Sequence, residues 1–388
     1  MMSLHKNILS RAVSLIDGAV RPRRMSGRQK FACRNFLLLQ FPSALGTAVH
    51  ATPLVQAIRE AYPDAKIVVA ASGMAREVFA NNPFVDRLLE LPSPMKELLP
   101  ALRQLRSANM FYGEPFAVLT STGNERTPIA LTAILSQASY RVGFTTRPDW
   151  FDDVYNFDPK QSQIDNNLRL LEPFGITRSG VEPLIAPDLA QKEEAKKLFE
   201  DAGLLPGRPV VPLVTQTSVT QRKSWRADRF RQVAQHLVAK YDAQLVFLGT
   251  SDEANAIEEL RSSIDLPSTS FAGKSSIGTL AAILERCTLG VTLDTGPLHV
   301  ARAVGLPMVV IAPAWSPPIE WLPVGNVDYR ILKNATITSP PTADYIIDEV
   351  SVQEVVSAID DLLHWNFARA RQSSANVTQR SASESSSA

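Results

Sequence analysis

The residues best suited to chemistry in this 388-residue chain lie in one run, Leu289 to Pro313, which reads LGVTLDTGPLHVARAVGLPMVVIAP. An apolar, β-rich stretch ends on Asp294, Thr295 and Gly296, after which Pro297, Leu298 and His299 open a short helix. Threonine caps helices, proline is tolerated in a first turn, and glycine allows close backbone approach. A helix opening there directs free N–H groups and the positive end of its dipole outward, an arrangement that binds a phosphate or diphosphate. A plainer account has Asp294 and Thr295 only capping the helix and His299 as a satisfied core residue. The segment alone leaves both open.

The elements around this run fix where it sits. Leu289 to Leu293 reads as a buried strand, Val300, Ala301, Ala303 and Val304 give the helix a small-residue face, and Gly305-Leu306-Pro307 stop it before a strand at Met308 to Ala312. The helix therefore begins at the carboxyl end of a parallel strand, where open α/β sheets bind ligands.

Upstream the same alternation recurs twice. A first series runs strand Phe36–Phe41, turn Pro42–Thr47, helix from about Ala48 to Ala61, strand Lys66–Ala71, helix Met74–Asn81, strand Arg87–Leu91, helix Met95–Ala108, strand Ala117–Thr120, helix Thr127–Gln137, strand Arg141–Phe144 and a closing helix Leu168–Phe174. The pattern lapses across Gly175–Asp188, a candidate linker. A second series has helix Gln191–Ala202, strand Val210–Thr215, helix Arg226–Tyr241, strand Gln244–Leu248, and helices Glu253–Ile264 and Thr279–Cys287 ahead of the opening segment. The expected fold class is α/β, with two Rossmann-like domains whose parallel sheets face a central cleft. The expected divisions are a basic amphipathic arm over 1–34, domains over 35–178 and 179–345, a C-terminal helix over 346–370 and a disordered Ser-rich tail over 371–388.

A net charge of +1 argues against a nucleic-acid surface. Cys33 and Cys287 have no metal spacing, which points to a reducing cytosol and no structural zinc. No apolar run reaches the ~18 residues of a membrane span. The apolar segment Ile8–Val20 carries Arg11 and Asp17 and precedes Arg21, Arg23, Arg24, Arg28, Lys30 and Arg34. Such an arm could rest on an anionic membrane surface, and a loosely ordered basic leader explains it equally well. No G-x-G-x-x-G follows the first strand, so NAD or FAD is unsupported; Gly273-Lys274-Ser275 resembles the end of a P-loop, but Ser268 stands where its first glycine belongs.

Asp294, Thr295, Gly296, His299, Ala301, Ala303, Gly305 and Pro307 fit the pattern D-T-G-x-x-H-x-A-x-A-x-G-x-P. Lys223, Ser224, Trp225, Asp228, Arg229 and Phe230 fit K-x-W-x-x-x-x-F, and Leu45, Gly46, His50 and Pro53 form an N-terminal loop; Arg141–Phe144, Asn167–Leu171 and Ala272–Lys274 add weaker matches. In this order, over Asn35 to Gly325, the chain resembles glycosyltransferase family nine, the ADP-heptose lipopolysaccharide heptosyltransferases. The resemblance implies a GT-B architecture and a nucleotide-diphosphate sugar, expected to be ADP-linked, held mainly by the C-terminal domain. It also implies a glycolipid or glycan acceptor, such as lipid A with inner-core sugars, on the N-terminal domain. Transfer would be inverting and would use neither metal nor other cofactor.

A departing nucleoside diphosphate develops negative charge, which a helix N-terminus and a cation must stabilise where no Mg²⁺ does so. Lys223, in the polar loop Gln216–Ser224, is the natural cation, unless it is a solvated surface lysine between Arg222 and Arg226. By resemblance Thr217, Ser218, Lys223, Asp294, Thr295, Gly296 and His299 bind the donor. An acidic residue after the strand ending at Leu248 should meet the donor ribose. Ser251, Asp252 and Glu253 are its candidates, and Asp252 or Glu253 could instead cap the helix that follows.

Two departures bear on the acceptor side, where Gly46, Thr120 and Arg126 are expected. The family's general-base aspartate is replaced by Thr47. A positioned base contributes about 10² to 10⁴ in rate, roughly 3 to 5 kcal/mol. His50 could serve in its place, the acceptor could bring its own acid, or catalysis could be lost and a nucleotide-sugar-binding scaffold remain. Thr120-Ser121-Thr122-Gly123 also stands where members carry an acid before a Q-G turn, although Arg126 keeps a basic position. The sequence thus points to a cytoplasmic transferase, with a peripheral contact with the inner membrane left open, that moves a sugar, expected to be heptose, onto a cell-envelope glycan. A two-domain UDP-sugar epimerase is the more distant reading.

Overall fold

The structure is a computed structural model that describes Gly18 and residues 24–108, 110–217, 223–313, 318–333 and 345–364. Its first half contains β1 (Asn35–Gln40), α1 (Leu45–Val49), α2 (Thr52–Ala61), β2 (Lys66–Ala71), α3 (Gly73–Phe79), β3 (Arg87–Glu90), α4 (Leu98–Ser107), β4 (Ala117–Thr120), α5 (Thr127–Leu135), β5 (Tyr140–Gly143), β6 (Asp153–Val154) and α6 (Gln163–Leu168). All paired strands run parallel, in the order β3-β2-β1-β4-β5-β6.

The second half adds α7 (Leu189–Asp201), β7 (Val210–Val214), β8 (Lys223–Ser224), α8 (Ala227–Tyr241), β9 (Gln244–Phe247), α9 (Ala254–Ile264), β10 (Ser268–Ser270), α10 (Ile277–Glu285), β11 (Gly290–Leu293), α11 (Gly296–Ala303), β12 (Met308–Ile311), α12 (Pro318–Trp321), β13 (Tyr329–Leu332), β14 (Tyr345–Ile346) and a helix α13 over 352–364. Its sheet, β10-β9-β7-β11-β12-β13, is again all parallel and repeats the topology of the first. This is the GT-B architecture.

Each sheet reverses its winding beside its first strand, between β1 and β4 and between β7 and β11. The crevice at such a reversal, outside the carboxyl ends of the strands, is where doubly wound sheets bind ligands. The segments following β1, β4, β7 and β11 carry Thr47, Gly123, Thr217 and Asp294.

Strands buried on both faces explain the continuous apolar runs, because each face meets a different core. On β1, Phe36 and Leu38 join one core while Leu37 and Leu39 join another. The first of these cores crosses between the halves, gathering Phe36, Leu54 and Val69 with Val214, Leu298 and Ala301. The far face of the second sheet packs against α13 through Val355, Ile359 and Leu362.

Several expected bounds move. The helix expected from about Ala48 starts at Leu45 and breaks into α1 and α2, where the Thr52 hydroxyl donates to the Val49 carbonyl and Pro53 opens a new first turn. Thr47 therefore lies within a helical turn. The expected closing helix is α6 followed by a 3₁₀ turn over Arg169–Phe174. The helix expected from residue 346 opens instead with β14 and resumes at 352, while residues 365–370, the tail over 371–388 and most of the arm over 1–34 lie outside the described residues. Among the described residues no helix is long and apolar enough to cross a membrane.

Candidate active site

The C-terminal side of the cleft is built around a buried ion pair. β8 pairs with β14 in register Tyr345↔Lys223, and the Thr217 hydroxyl both accepts the Lys223 N–H at 3.0 Å and donates to the Lys223 carbonyl at 2.9 Å. So fixed, Lys223 reaches Asp294, Nζ to Oδ2 3.1 Å, with the two side chains only 5% and 9% exposed. Lys223 is thus neither a solvated nor a surface residue. Asp294 does not cap α11, and Thr295, its N-cap residue, makes no side-chain capping bond. Burying a lysine and an aspartate together adds little net stability, since desolvation offsets the attraction. What the pair provides is a fixed cation at the positive end of a helix.

On the N-terminal side α1 packs directly against α11. A Cβ added to Gly46 would stand 2.5 Å from the His299 ring, and one added to Gly296 would meet Leu45 at 3.3 Å. Only glycine permits this approach. Thr47 is buried with its methyl against Gly123, whose φ of 80° and lack of a Cβ leave room for it.

Behind Gly46, His50 meets His299 edge-on with centroids 4.6 Å apart, and Trp321 of α12 stacks on His50 at 5.6 Å. Both nitrogens of His50 and Nδ1 of His299 are buried without a hydrogen-bond partner among the described residues. Burial, then His299 and Arg302, hold the His50 pKa well below the usual histidine value. Burial lowers that of His299 to about 4, outweighing the upward pull of Asp294. Both imidazoles are neutral near neutral pH. His299 is therefore not a satisfied core residue, and His50, enclosed by two rings, is poorly placed to take a proton from an acceptor.

The remaining expected residues scatter. Thr120 is buried at the end of β4 with its hydroxyl donated to the Phe144 carbonyl at 3.1 Å. Arg126 is half-buried and donates to Ser43 Oγ at 3.2 Å, pairing with no carboxylate among the described residues. Ser251 and Asp252 are exposed, while the Glu253 carboxylate accepts the Thr250 N–H at 2.9 Å. Ser218 lies outside the described residues. Among those described, no three His, Cys, Asp or Glu side chains stand close enough to share a metal ion.

Sequence reasoning passed over Trp321, Glu320 and Glu125. Glu320 accepts from Gln163 Nε2 at 3.0 Å, joining α12 to α6 across the cleft. An aromatic beside an acid, just beyond β12 at the carboxyl edge, was the available signal.

The sequence pattern of glycosyltransferase family 9 (heptosyltransferase) matches residues 129–339, more than half of the chain. The chain belongs to this family. It is a glycosyltransferase, 22% identical over 342 residues to lipopolysaccharide heptosyltransferase 3 of Escherichia coli, covering 82% of this chain and 96% of that protein. It is 24% identical over 303 residues to lipooligosaccharide heptosyltransferase 2 of Haemophilus influenzae, covering 73% and 86%. Among solved structures, E. coli ADP-heptose lipopolysaccharide heptosyltransferase II superposes with a TM-score of 0.69 at 19% identity, over 85% of this chain and 98% of that one.

Proposed function

We propose that this glycosyltransferase moves heptose from ADP-heptose onto a lipopolysaccharide core or related cell-envelope glycan, with inversion and without a metal. The observation that carries the reading is the Lys223–Asp294 pair buried at the N-terminus of α11, the helix against which Leu45 and Gly46 of α1 pack. A diphosphate over that helix end meets N–H dipoles and the lysine together, so the charge that develops as the sugar–phosphate bond breaks is stabilised where it forms. The acceptor hydroxyl enters from the α1 side and attacks the anomeric carbon opposite the leaving diphosphate, which inverts the centre. The contact of α1 with α11 excludes water from the reacting atoms. Thr217 and Ser218 extend the diphosphate site, Asp252 faces the ribose, and Arg126 meets an anionic group of the acceptor. The glycolipid class of acceptor suits an enzyme resting on the inner membrane's cytoplasmic face.

Incubation with ADP-heptose and a heptose-deficient lipopolysaccharide core tests this directly. A product heavier by one heptose, with ADP released, is expected; interconversion of the donor without transfer would favour an epimerase. Thr47 keeps a second reading alive, a donor-binding scaffold, for which donor binding without transfer would speak.

A further inference from the structure

With Thr47 at the position where the resemblance implies a general base, and His50 enclosed by the His299 and Trp321 rings, a carboxylate elsewhere on this chain is the remaining proton acceptor the protein itself can offer. The acids bordering the contact between the two halves can be taken in turn. Asp294 is held by Lys223 at 3.1 Å. Glu320 accepts from Gln163, Glu77 Oε2 accepts the Ile277 N–H at 2.9 Å, and Glu182 pairs with Arg302 at 2.6 Å. Asp294 and Glu182 are matched by cations, while Glu320 and Glu77 are each committed to a hydrogen bond with the opposite half.

Glu125 differs. It lies on the loop leaving β4, which is fastened onto the loop leaving β1. The Phe41 N–H donates to Asn124 Oδ1 at 2.8 Å, Arg126 reaches Ser43, and Gly123 lies against the Thr47 methyl. Within this loop Glu125 Oε1 accepts the Gly123 N–H at 2.9 Å, while Oε2 has no partner among the described residues and the side chain is half-buried. The carboxylate is therefore one hydrogen bond from the glycine that touches Thr47, on the N-terminal face of the cleft and at the sheet's winding reversal.

We propose that Glu125 is the general base of this enzyme, its carboxylate having moved from the β1 loop to the facing β4 loop. This rests on the transferase reading above. Glu125 Oε2 takes the proton of the acceptor hydroxyl as that oxygen bonds to the anomeric carbon. The bond from that carbon to the diphosphate breaks, and its electron pair leaves with the nucleoside diphosphate beside Lys223. The products are the glycosylated acceptor, the free nucleoside diphosphate and a protonated Glu125, which returns its proton to water. The Gly123 N–H holds one oxygen and so orients the other.

The test uses the full-length protein with ADP-heptose and a heptose-deficient lipopolysaccharide core, following kcat, KM and ADP affinity between pH 5 and 9. Glu125→Gln should lower kcat by about 100-fold or more and abolish the acidic limb of its pH profile, with ADP affinity unchanged. Adding Thr47→Asp to Glu125→Gln should restore about tenfold or more by returning a carboxylate to the facing loop. Glu320→Gln should keep the limb. An active wild type whose Glu125→Gln variant stays within about threefold, or whose limb is lost in Glu320→Gln instead, overturns the assignment alone. A wild type that binds ADP and transfers nothing overturns the proposed reaction and the base with it.

Discussion

The segments following β7 and β11 bury a lysine, Lys223 at the start of β8, against an aspartate, whereas those following β1 and β4 bring small residues and the half-buried Glu125 and Arg126 to the same cleft. Both pairs occupy equivalent positions in sheets of the same topology. The difference follows from what each side must handle. A leaving diphosphate always brings charge, which calls for a preorganised cation and helix end. An acceptor hydroxyl requires only one proton acceptor within reach, and several loop positions can supply it. The donor side is the more constrained of the two.

If that contrast is sound, the largest effects should come from the donor side. Lys223→Ala leaves Asp294 buried and unpaired, a change that costs about 3–5 kcal/mol. Chemical denaturation should register that loss, and ADP binding should fall below detection. The double variant Lys223→Met/Asp294→Asn should regain most of the stability and none of the binding; recovery of both would break the comparison.

Acid should act next, through the imidazoles. Well above about pH 6.5 His50 and His299 are neutral folded or unfolded and contribute no pH dependence. Below it the unfolded chain takes up protons that the folded one refuses, so stability falls with pH, for His299 down to its folded pKa of about 4. The slope approaches about 1.4 kcal/mol per pH unit for each histidine. Denaturation at pH 7 and pH 5 should show the loss, and a His50→Leu/His299→Leu variant should flatten it.

Gly46→Ala places a methyl 2.5 Å from the His299 ring. Overpacking of this kind costs about 1–3 kcal/mol. By forcing α1 from α11 it should lower kcat more than ADP affinity, since Lys223 and Asp294, the proposed diphosphate site, lie on the other side. Equal losses in both would show that the two sides cannot be separated. The smallest change is expected from Glu253→Ala, which frees the exposed Thr250 N–H to water and costs about 0.5 kcal/mol or less. Its ADP affinity should stay near wild type, whereas Asp252→Ala should weaken it.

Much of this was legible in the sequence because long strands buried on both faces announce themselves. FLLLQF, KIVVAA and MVVIA could hardly be anything but central strands, and the turns following them fixed the carboxyl edge. The short edge strands β6, β8, β10, β13 and β14 carry no apolar run, being half-exposed or two residues long, and stayed invisible. The site was legible residue by residue but not as geometry. Lys223 and Asp294 lie 71 positions apart, and only the β8–β14 pairing and the adjacency of β7 and β11 bring them together. Thr120 looked available because its loop matches an acceptor position, yet hydrogen bonding to Phe144 turns it inward. Glu125 was passed over between Gly123 and Arg126, since nothing in the local sequence tells which side chain a folded loop returns to its neighbour.

On the proposed reading Lys223, held by Asp294 at the N-terminus of α11, binds the donor diphosphate. Isothermal calorimetry with ADP, UDP, GDP and CMP, on the wild type and on Asp294→Ala, addresses it without needing the acceptor. Selective binding of ADP is expected, weakened by about tenfold or more in the variant as the lysine loses its orienting partner. Failure of all four nucleotides to bind, or an ADP affinity that Asp294→Ala leaves unchanged, would contradict it.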